Sequence, residues 1–223
     1  MTFVAPGTRF PLRPLTGVLV ALLFALGLPA AAAPLARDLG DGLRYFRAKS
    51  LPDDLPAADV AAGPLVLDLR YAKAESAAGV ALEAWIRFRA APRRPVIVLV
   101  NAASAPAIRA VLAHLKTQAG VITIGTAAGG FVPDLAVDTT EAAEHRAYEA
   151  LESGTPVRSL TVEDPPKERI DEASLMRERA GEVPTSQDLA PGDEATAAPP
   201  PLIDAALQRA VQLHRALRAL KRV

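Results

Sequence analysis

The sequence predicts an α/β fold with a mostly parallel central sheet. Three nearly continuous apolar runs, typical of strands buried on both faces, lie within residues 64–71, 91–101 and 121–126. Apolar residues at helical spacing fill the intervals between them, over 75–90 and 104–118. Strands that alternate with helices through short connections are most simply joined by right-handed crossovers, so the three strands should run parallel.

The composition fits one core of ordinary size and narrows the classes of function. Half of the 223 residues are apolar, and 25 basic residues balance 25 acidic ones. This charge balance gives no reason to expect nucleic acid as a partner. The chain has no cysteine, which excludes disulfides, thiol catalysis and cysteine-based zinc sites.

The first residues have the pattern of a secretory signal peptide. Arg9 and Arg13 precede an apolar run over 15–28, and the small residues LPAAAAP follow. Cleavage is expected after Ala32. The alternative is an uncleaved anchor, because the apolar stretch approaches the length of a membrane span, and membrane contact is expected only in that case. An exported protein of this kind is most simply placed in a bacterial periplasm.

Further elements flank the three buried strands. The stretch GLRYFRAKSL (42–51) predicts a strand, and a proline-rich loop follows it. Beyond the third strand, a glycine-containing loop over 125–134 leads to a short extended segment and a helix that ends at Gly154. Asp138 is the expected N-terminal cap of that helix.

The end of the chain predicts a linker and one more helix. A short charged helix is expected over 168–181, and the proline-rich stretch 180–201 lacks aromatic residues, as linkers do. The final helix packs on its own domain or pairs with a partner helix and so forms an oligomer. Its apolar stripe comprises Ala206, Ala210, Leu213, Leu217 and Leu220. The predicted organisation is a signal peptide at 1–32, an α/β domain at 33–179, a linker at 180–201 and an amphipathic helix at 202–223.

Five of these segments, taken in order, resemble the core of the tail-specific (C-terminal processing) serine proteases. They are GLRYFRAKSL, PLVLDLRYA, VIVLVNAASAPAI, VITIGTAAGG and VPDLAV, within residues 42–138. The resemblance implies a crotonase-like mixed αβ spiral with mostly parallel central strands, to which a separate C-terminal helix is added.

The chemistry of that family needs a serine that is activated by a lysine. In the resemblance, Ser104 falls near the position of the nucleophile. The position of the lysine falls within 126–130, where this chain has none, and Ala72-Lys73-Ala74-Glu75 replaces the glycine turn that helps to build the oxyanion hole. Both the base and the turn are therefore missing from the pattern.

Two interpretations of Ser104 remain open. Ser104 and Lys73 both follow the carboxyl ends of predicted parallel strands, where sites of α/β sheets gather, so Lys73 is a conceivable replacement base. Alternatively, Ser104 caps the following helix, with Pro106 in its first turn.

The remaining polar signals favour structural roles. Asp68 and Arg70 are expected to form a buried pair or a strand-end contact rather than a catalytic pair. His114, His145 and His214 lie on three predicted helices without ligand spacing, so they are interpreted as solvated residues. No metal and no cofactor is expected.

Two functional hypotheses follow. The first is an exported, non-catalytic relative of tail-specific proteases that acts as a binding or assembly module, with a protein or peptide as partner. The second is a reduced but active serine hydrolase that uses Ser104, with Lys73 as the base.

Overall fold

The computed structural model describes residues 34–57, 62–162 and 201–223, besides Thr2. The predicted signal peptide, the predicted charged helix over 168–181 and nearly all of the predicted linker lie outside these residues. Contacts divide the chain into two units, 1–33 and 34–223, and the fold below is that of the second unit.

The described part of the second unit contains short strands and helices in alternation. In chain order they are β1 Leu35–Asp38, β2 Arg44–Arg47, β3 Ser50–Leu51, β4 Leu65–Asp68, β5 Lys73–Ala74, α1 Ser76–Arg89, β6 Val96–Val100, α2 Pro106–His114, β7 Val121–Gly125, β8 Leu135–Ala136, α3 Glu141–Glu152, α4 Val157–Leu160 and α5 Ala205–Ala219. None of the described helices combines the length and the apolar character that crossing a membrane requires.

Within the described residues, the main sheet has six strands in the order β1-β2-β4-β6-β7-β8. Every pair from β2 to β8 is parallel, and only β1 runs antiparallel to its neighbour β2. The prediction of a mixed α/β fold with mostly parallel central strands is therefore confirmed. The three apolar runs form β4, β6 and β7. These strands bury side chains on both faces of the sheet, so their sequences are apolar at successive positions.

The amino-terminal part of the sheet differs from the predicted single strand over 42–51. That stretch divides into β2 of the main sheet and β3, which pairs with β5 in a separate two-stranded sheet. Strand β1 was not predicted, because LARD has neither a buried face nor alternation and is mostly exposed.

Alternate residues of the central strands enter two apolar clusters, one on each face. On one face, Leu65 and Val98 belong to the same cluster as residues of α1 and α2. On the other face, Val66 and Ile97 share a cluster with residues of α3, α4 and α5. The fold is thus three layers, with helices on both sides of the sheet.

Helix α5 packs on the sheet through its first turns. The predicted stripe is correct for Ala206 and Ala210, but Leu220 is 70% exposed. Leu207, Val211 and His214 are buried instead, so His214 is not solvated as predicted. Its Nε2 lies 3.1 Å from the backbone oxygen of Asp41.

One local prediction needs correction, and one glycine of the sheet has a physical explanation. The cap of α3 is Thr140, whose hydroxyl accepts a hydrogen bond from the Ala143 amide at 3.2 Å, and not Asp138, because the helix begins only at Glu141. At the end of β7, Gly125 has φ of 152°, and a Cβ there would lie 1.6 Å from the Val100 oxygen. Glycine is therefore required in this last pair of β6 and β7, where the backbones approach closely.

Candidate functional site

Ser104 lies in the loop between β6 and α2 and is 1% exposed. Its hydroxyl donates to the Leu69 carbonyl oxygen at 2.9 Å and accepts from the Asn101 amide at 3.0 Å. The hydroxyl therefore joins the ends of β4 and β6. It does not cap α2, because the cap position of that helix is Ala105, one residue later.

Asn101 organises the same loop from its first position. Its side-chain oxygen accepts from the amides of Ala103 and Ser104, each at 3.1 Å, which forms an Asx turn. Its side-chain nitrogen donates to Glu144 at 3.1 Å. Asn101 therefore holds the serine loop against helix α3.

Lys73 lies on β5, outside the main sheet, and its side chain is exposed. Its backbone amide donates to the Lys49 oxygen, as part of the pairing between β3 and β5. The segments of the two predicted site residues do meet, because the Ala105 amide donates to the Ala72 oxygen at 3.1 Å. The hydrogen-bonding partners of the Ser104 hydroxyl, however, come from Leu69 and Asn101.

Among the described residues, Arg109 on α2 is the cation that donates a hydrogen bond to Ser104. Its Nη1 donates to the backbone oxygens of Ala102, at 3.0 Å, and of Ser104. The guanidinium also lies beside Gly129 in the loop after β7, the loop in which the resemblance places the missing lysine. A guanidinium is always protonated in proteins and cannot accept the proton of a serine.

The turn after β4 has an unusual backbone. Tyr71 has φ of +60°, in the left-handed region that costs a non-glycine residue on the order of 1 kcal/mol. Its ring packs edge-on against the rings of His145 and Tyr148. Burial, together with the nearby Glu144 carboxylate, raises the pKa of Tyr71 to about 12. The turn is thus held by aromatic packing in place of glycines.

A buried ion network closes the carboxyl end of β4. Arg70 is fully buried and donates to both oxygens of Asp68, at 2.7 and 3.0 Å, and to both oxygens of Asp204, at 2.8 and 2.9 Å. Burial by itself would lower the pKa of Arg70, but the two carboxylates outweigh it and raise the pKa well above its usual value. The expected buried pair of Asp68 and Arg70 is present, with Asp204 as a third member.

Asp204 has a second role as the N-cap of α5. Its Oδ1 also accepts from the Leu207 amide at 3.0 Å. One carboxylate that is 1% exposed therefore anchors the C-terminal helix and completes the coordination of Arg70.

Arg47 extends the network towards β2. Its Nε donates to the Tyr45 hydroxyl at 2.9 Å, and that hydroxyl donates to Asp68 at 2.6 Å. The Arg47 guanidinium also lies 3.5 Å from the centre of the Tyr148 ring, a cation–π contact. Although burial would raise the pKa of Asp68, the charge of Arg70 and then its hydrogen bonds outweigh burial and lower that pKa.

Glu144 on α3 differs from the other carboxylates of this cluster in its hydrogen bonding. It is 6% exposed and lies 3.7 Å from the Nη1 of Arg70, too far for a hydrogen bond. Burial raises its pKa, against the opposing effects of Arg70 and Asn101. Its Oε1 has no hydrogen-bonding partner among the described residues.

These residues differ in how clearly the sequence indicates that they belong to the site. Glu144 and Asp204 were not predicted as site residues, since each arrives from a helix distant in sequence from β4. The cap position of Asp204, just before an apolar periodic segment, was the available local signal. His114 and His145 are exposed, as predicted. Within the described ranges, no three histidine or acidic side chains come together as metal ligands.

Comparison with known proteins gives weak structural likenesses. No protein-family model and no curated protein matches the chain. A lipoprotein from Streptococcus agalactiae aligns with 44% of this chain and 50% of its own, at 11% identity and a TM-score of 0.33. A candidate peptidase from Parabacteroides merdae aligns with 54% of this chain and 64% of its own, at 15% identity and a TM-score of 0.38.

A photosystem II D1 C-terminal processing protease is also similar. It aligns with 44% of this chain and 34% of its own, at 19% identity and a TM-score of 0.28. The chain thus spans between about a third and just under two thirds of the length of these three solved chains. Likenesses at these scores support no inference about activity, substrates or partners.

Proposed function

We propose that the chain is an exported, non-catalytic relative of the tail-specific serine proteases that acts as a binding or assembly module. The crotonase-like spiral belongs to the same proposal. The observation that carries it is the use of the Ser104 hydroxyl, which joins the ends of β4 and β6 by hydrogen bonds to backbone groups.

A serine nucleophile needs a neutral base within hydrogen-bond reach of its hydroxyl. The described surroundings of Ser104 offer the carbonyl oxygen of Leu69 and the side-chain oxygen of Asn101 at 3.3 Å, neither of which is basic. Arg109 donates to the carbonyl of Ser104 and cannot act as a base. Lys73 is exposed on a neighbouring sheet. The geometry therefore favours a structural hydroxyl.

The space around the carboxyl ends of the strands supports the same proposal. An active hydrolase needs donors aimed at an open position beside the nucleophile, and loss of one such donor costs on the order of 10²–10³ in rate. Here the end of β4 is filled by Arg70 with Asp68 and Asp204, all at most 1% exposed. Buried side chains therefore occupy the place where such an open position would be needed at the end of β4.

Export is supported by the sequence pattern of the first 32 residues. The full-length protein, expressed in a bacterium, should accumulate in the periplasmic fraction with Ala33 as its first residue. Intact mass spectrometry of that fraction checks both expectations. Retention of residues 1–32 in the membrane fraction would instead show an anchor.

Labelling with a fluorophosphonate probe tests the absence of catalysis. The purified mature protein and its Ser104→Ala variant are incubated with the probe, and adducts are detected by intact mass. The proposal predicts no adduct on folded wild-type protein, with folding checked by circular dichroism. An adduct on the wild-type protein that is absent from both the Ser104→Ala and the Lys73→Ala variant would instead support the hydrolase that uses Ser104 and Lys73.

A further inference from the structure

Glu144 joins the first turns of helix α3 to two parts of the site. Its Oε2 accepts from the side-chain nitrogen of Asn101 at 3.1 Å, so it contacts the serine loop, residues 101–105. Its Oε1 lies 3.7 Å from the Nη1 of Arg70, which follows β4. A single side chain that is 6% exposed therefore connects α3 to the carboxyl ends of β4 and β6.

The two ends of α3 are attached in different ways. Near its C-terminal end, Leu151 belongs to the apolar cluster on this face of the sheet, and Ala150 packs against that cluster. Nearer its N-terminal end, Glu144 makes the polar contacts to Asn101 and Arg70. The first turns of α3 therefore depend on the state of one titratable side chain, while the last turn is held by apolar packing.

The described charges around Glu144 balance before its own charge is counted. Ion pairs join six other side chains in a series of alternating charge: Asp204, Arg70, Asp68, Arg47, Glu152 and Lys49. Arg70 already donates to both oxygens of Asp68 and to both oxygens of Asp204. Ionised Glu144 therefore adds an unbalanced negative charge to a buried cluster, whereas protonated Glu144 leaves the cluster neutral.

The groups that face Glu144 act on its ionisation in opposite directions. Burial is the largest effect and raises the pKa of Glu144, and the carboxylates of Asp204 and Asp68 raise it further. The charge of Arg70 and the hydrogen bond from Asn101 oppose them, but the net direction is upward. Other titratable or charged side chains on the adjoining elements include Tyr71 in the turn after β4, Tyr45 and Arg47 on β2, and Glu141, His145 and Tyr148 on α3.

We propose that Glu144 is the titrating group of a pH-sensitive switch: it carries a proton while the first turns of α3 are docked, and its ionisation releases these turns together with the serine loop. Opening gives one proton to water, and closing takes one proton back, so the step needs no other reactant. The switch works whether Ser104 is reactive or inert, and it therefore goes beyond the proposed function.

Proton linkage gives the direction of the pH response. In the open form Glu144 meets water, and its pKa returns to the ordinary value of a glutamic acid, about 4.3. In the closed form burial holds the pKa of Glu144 higher, so the closed form binds the proton more tightly. The population of the open form should therefore rise about tenfold per pH unit above about pH 4.3, until the pKa of the closed form is reached.

Amide hydrogen exchange of the mature protein tests this switch. Rates are compared between wild type and Glu144→Gln at each pH, because the ratio cancels the pH dependence of the exchange chemistry itself. The ratio at residues 103–105 and 143–147 should rise about tenfold per pH unit above about pH 4.3. Glu149→Gln is the matched control, since Glu149 is an exposed glutamate of the same helix, and it should exchange as wild type does.

Two exchange results would overturn the proposal. The first is a ratio that does not change with pH at these residues. The second is exchange in β6, Val96–Val100, at the same rates as in α3, because the whole protein and not the first turns of α3 would then be opening.

A titration of the wild-type protein gives a second readout that does not depend on the folding of a variant. The side-chain carboxyl carbon of Glu144, assigned by triple-resonance NMR, should titrate with a midpoint above about pH 4.3 in the folded protein. A midpoint at or below that value would overturn the proposal. Labelling of Ser104 by a fluorophosphonate would contradict only the proposed function, so the two failures are distinguishable.

Discussion

Replacement of Asp204 by asparagine should destabilise the protein strongly, because this carboxylate joins α5 to the centre of the fold. Both of its oxygens accept from Arg70, at 2.8 and 2.9 Å, and Oδ1 also accepts from the Leu207 amide. Asparagine keeps one acceptor for the cap but turns an amide N–H₂ group towards a buried guanidinium.

The size of the loss follows from the remaining partners. Breaking a buried ion pair by removal of one member costs about 3–5 kcal/mol. Arg70 retains both oxygens of Asp68, so Asp204→Asn should lie at the lower end, about 3 kcal/mol. Asp204→Ala also loses the helix cap and should cost about 1 kcal/mol more.

Urea unfolding of the mature protein, followed by far-UV circular dichroism, measures these differences. Asp53→Asn is the matched control, because Asp53 is an exposed carboxylate, and it should change the free energy of unfolding by less than about 0.5 kcal/mol. A loss below about 1 kcal/mol for Asp204→Asn would show that the ion network does not hold α5 in place.

Three further predictions concern backbone space and pH. Gly125→Ala places a Cβ 1.6 Å from the Val100 oxygen, so we expect a loss above about 3 kcal/mol or an insoluble product, seen in the same urea titration. The pKa of Glu144 is raised in the folded protein, so ionisation of Glu144 lowers the stability of the fold as pH rises from about 4.3. The Glu144→Gln variant should lack this decline and should melt at a higher temperature than wild type at pH 7. A lower melting temperature of the variant would contradict this prediction. The pKa of Asp68 is lowered in the folded protein, so its ionised carboxylate stabilises the fold above about pH 3.9, and this stabilisation is lost as pH falls through the folded pKa. The Asp68→Asn variant should therefore lose less stability than wild type as the pH is lowered. An unchanged loss of stability in acid would contradict this role of Asp68.

The parts of the fold that sequence could predict are those with a local physical cause. Strands β4, β6 and β7 are parallel and buried because their runs are apolar on both faces, which is visible in the residues themselves. Strand β1 has four mostly exposed residues, and only its pairing with β2 makes it a strand.

The candidate site shows the same limit. The buried pair of Asp68 and Arg70 could be predicted, since two opposite charges, separated by Leu69, end an apolar strand. Asp204 is 134 residues from Arg70, and no short-range pattern indicates that contact. Tyr71 in a left-handed conformation opposes the local preference of tyrosine, so only the packing of its ring against His145 and Tyr148 explains it.

The free energy of unfolding of Ser104→Ala tests most directly whether the serine hydroxyl is structural. Removal of the hydroxyl leaves the Leu69 oxygen and the Asn101 amide buried without this partner, so the loss should be about 1–3 kcal/mol. Ser159→Ala, at an exposed serine, should change stability by less than about 0.5 kcal/mol. An unchanged or increased stability of Ser104→Ala would contradict a structural role, because that is the behaviour expected of a catalytic residue held at a cost to the fold.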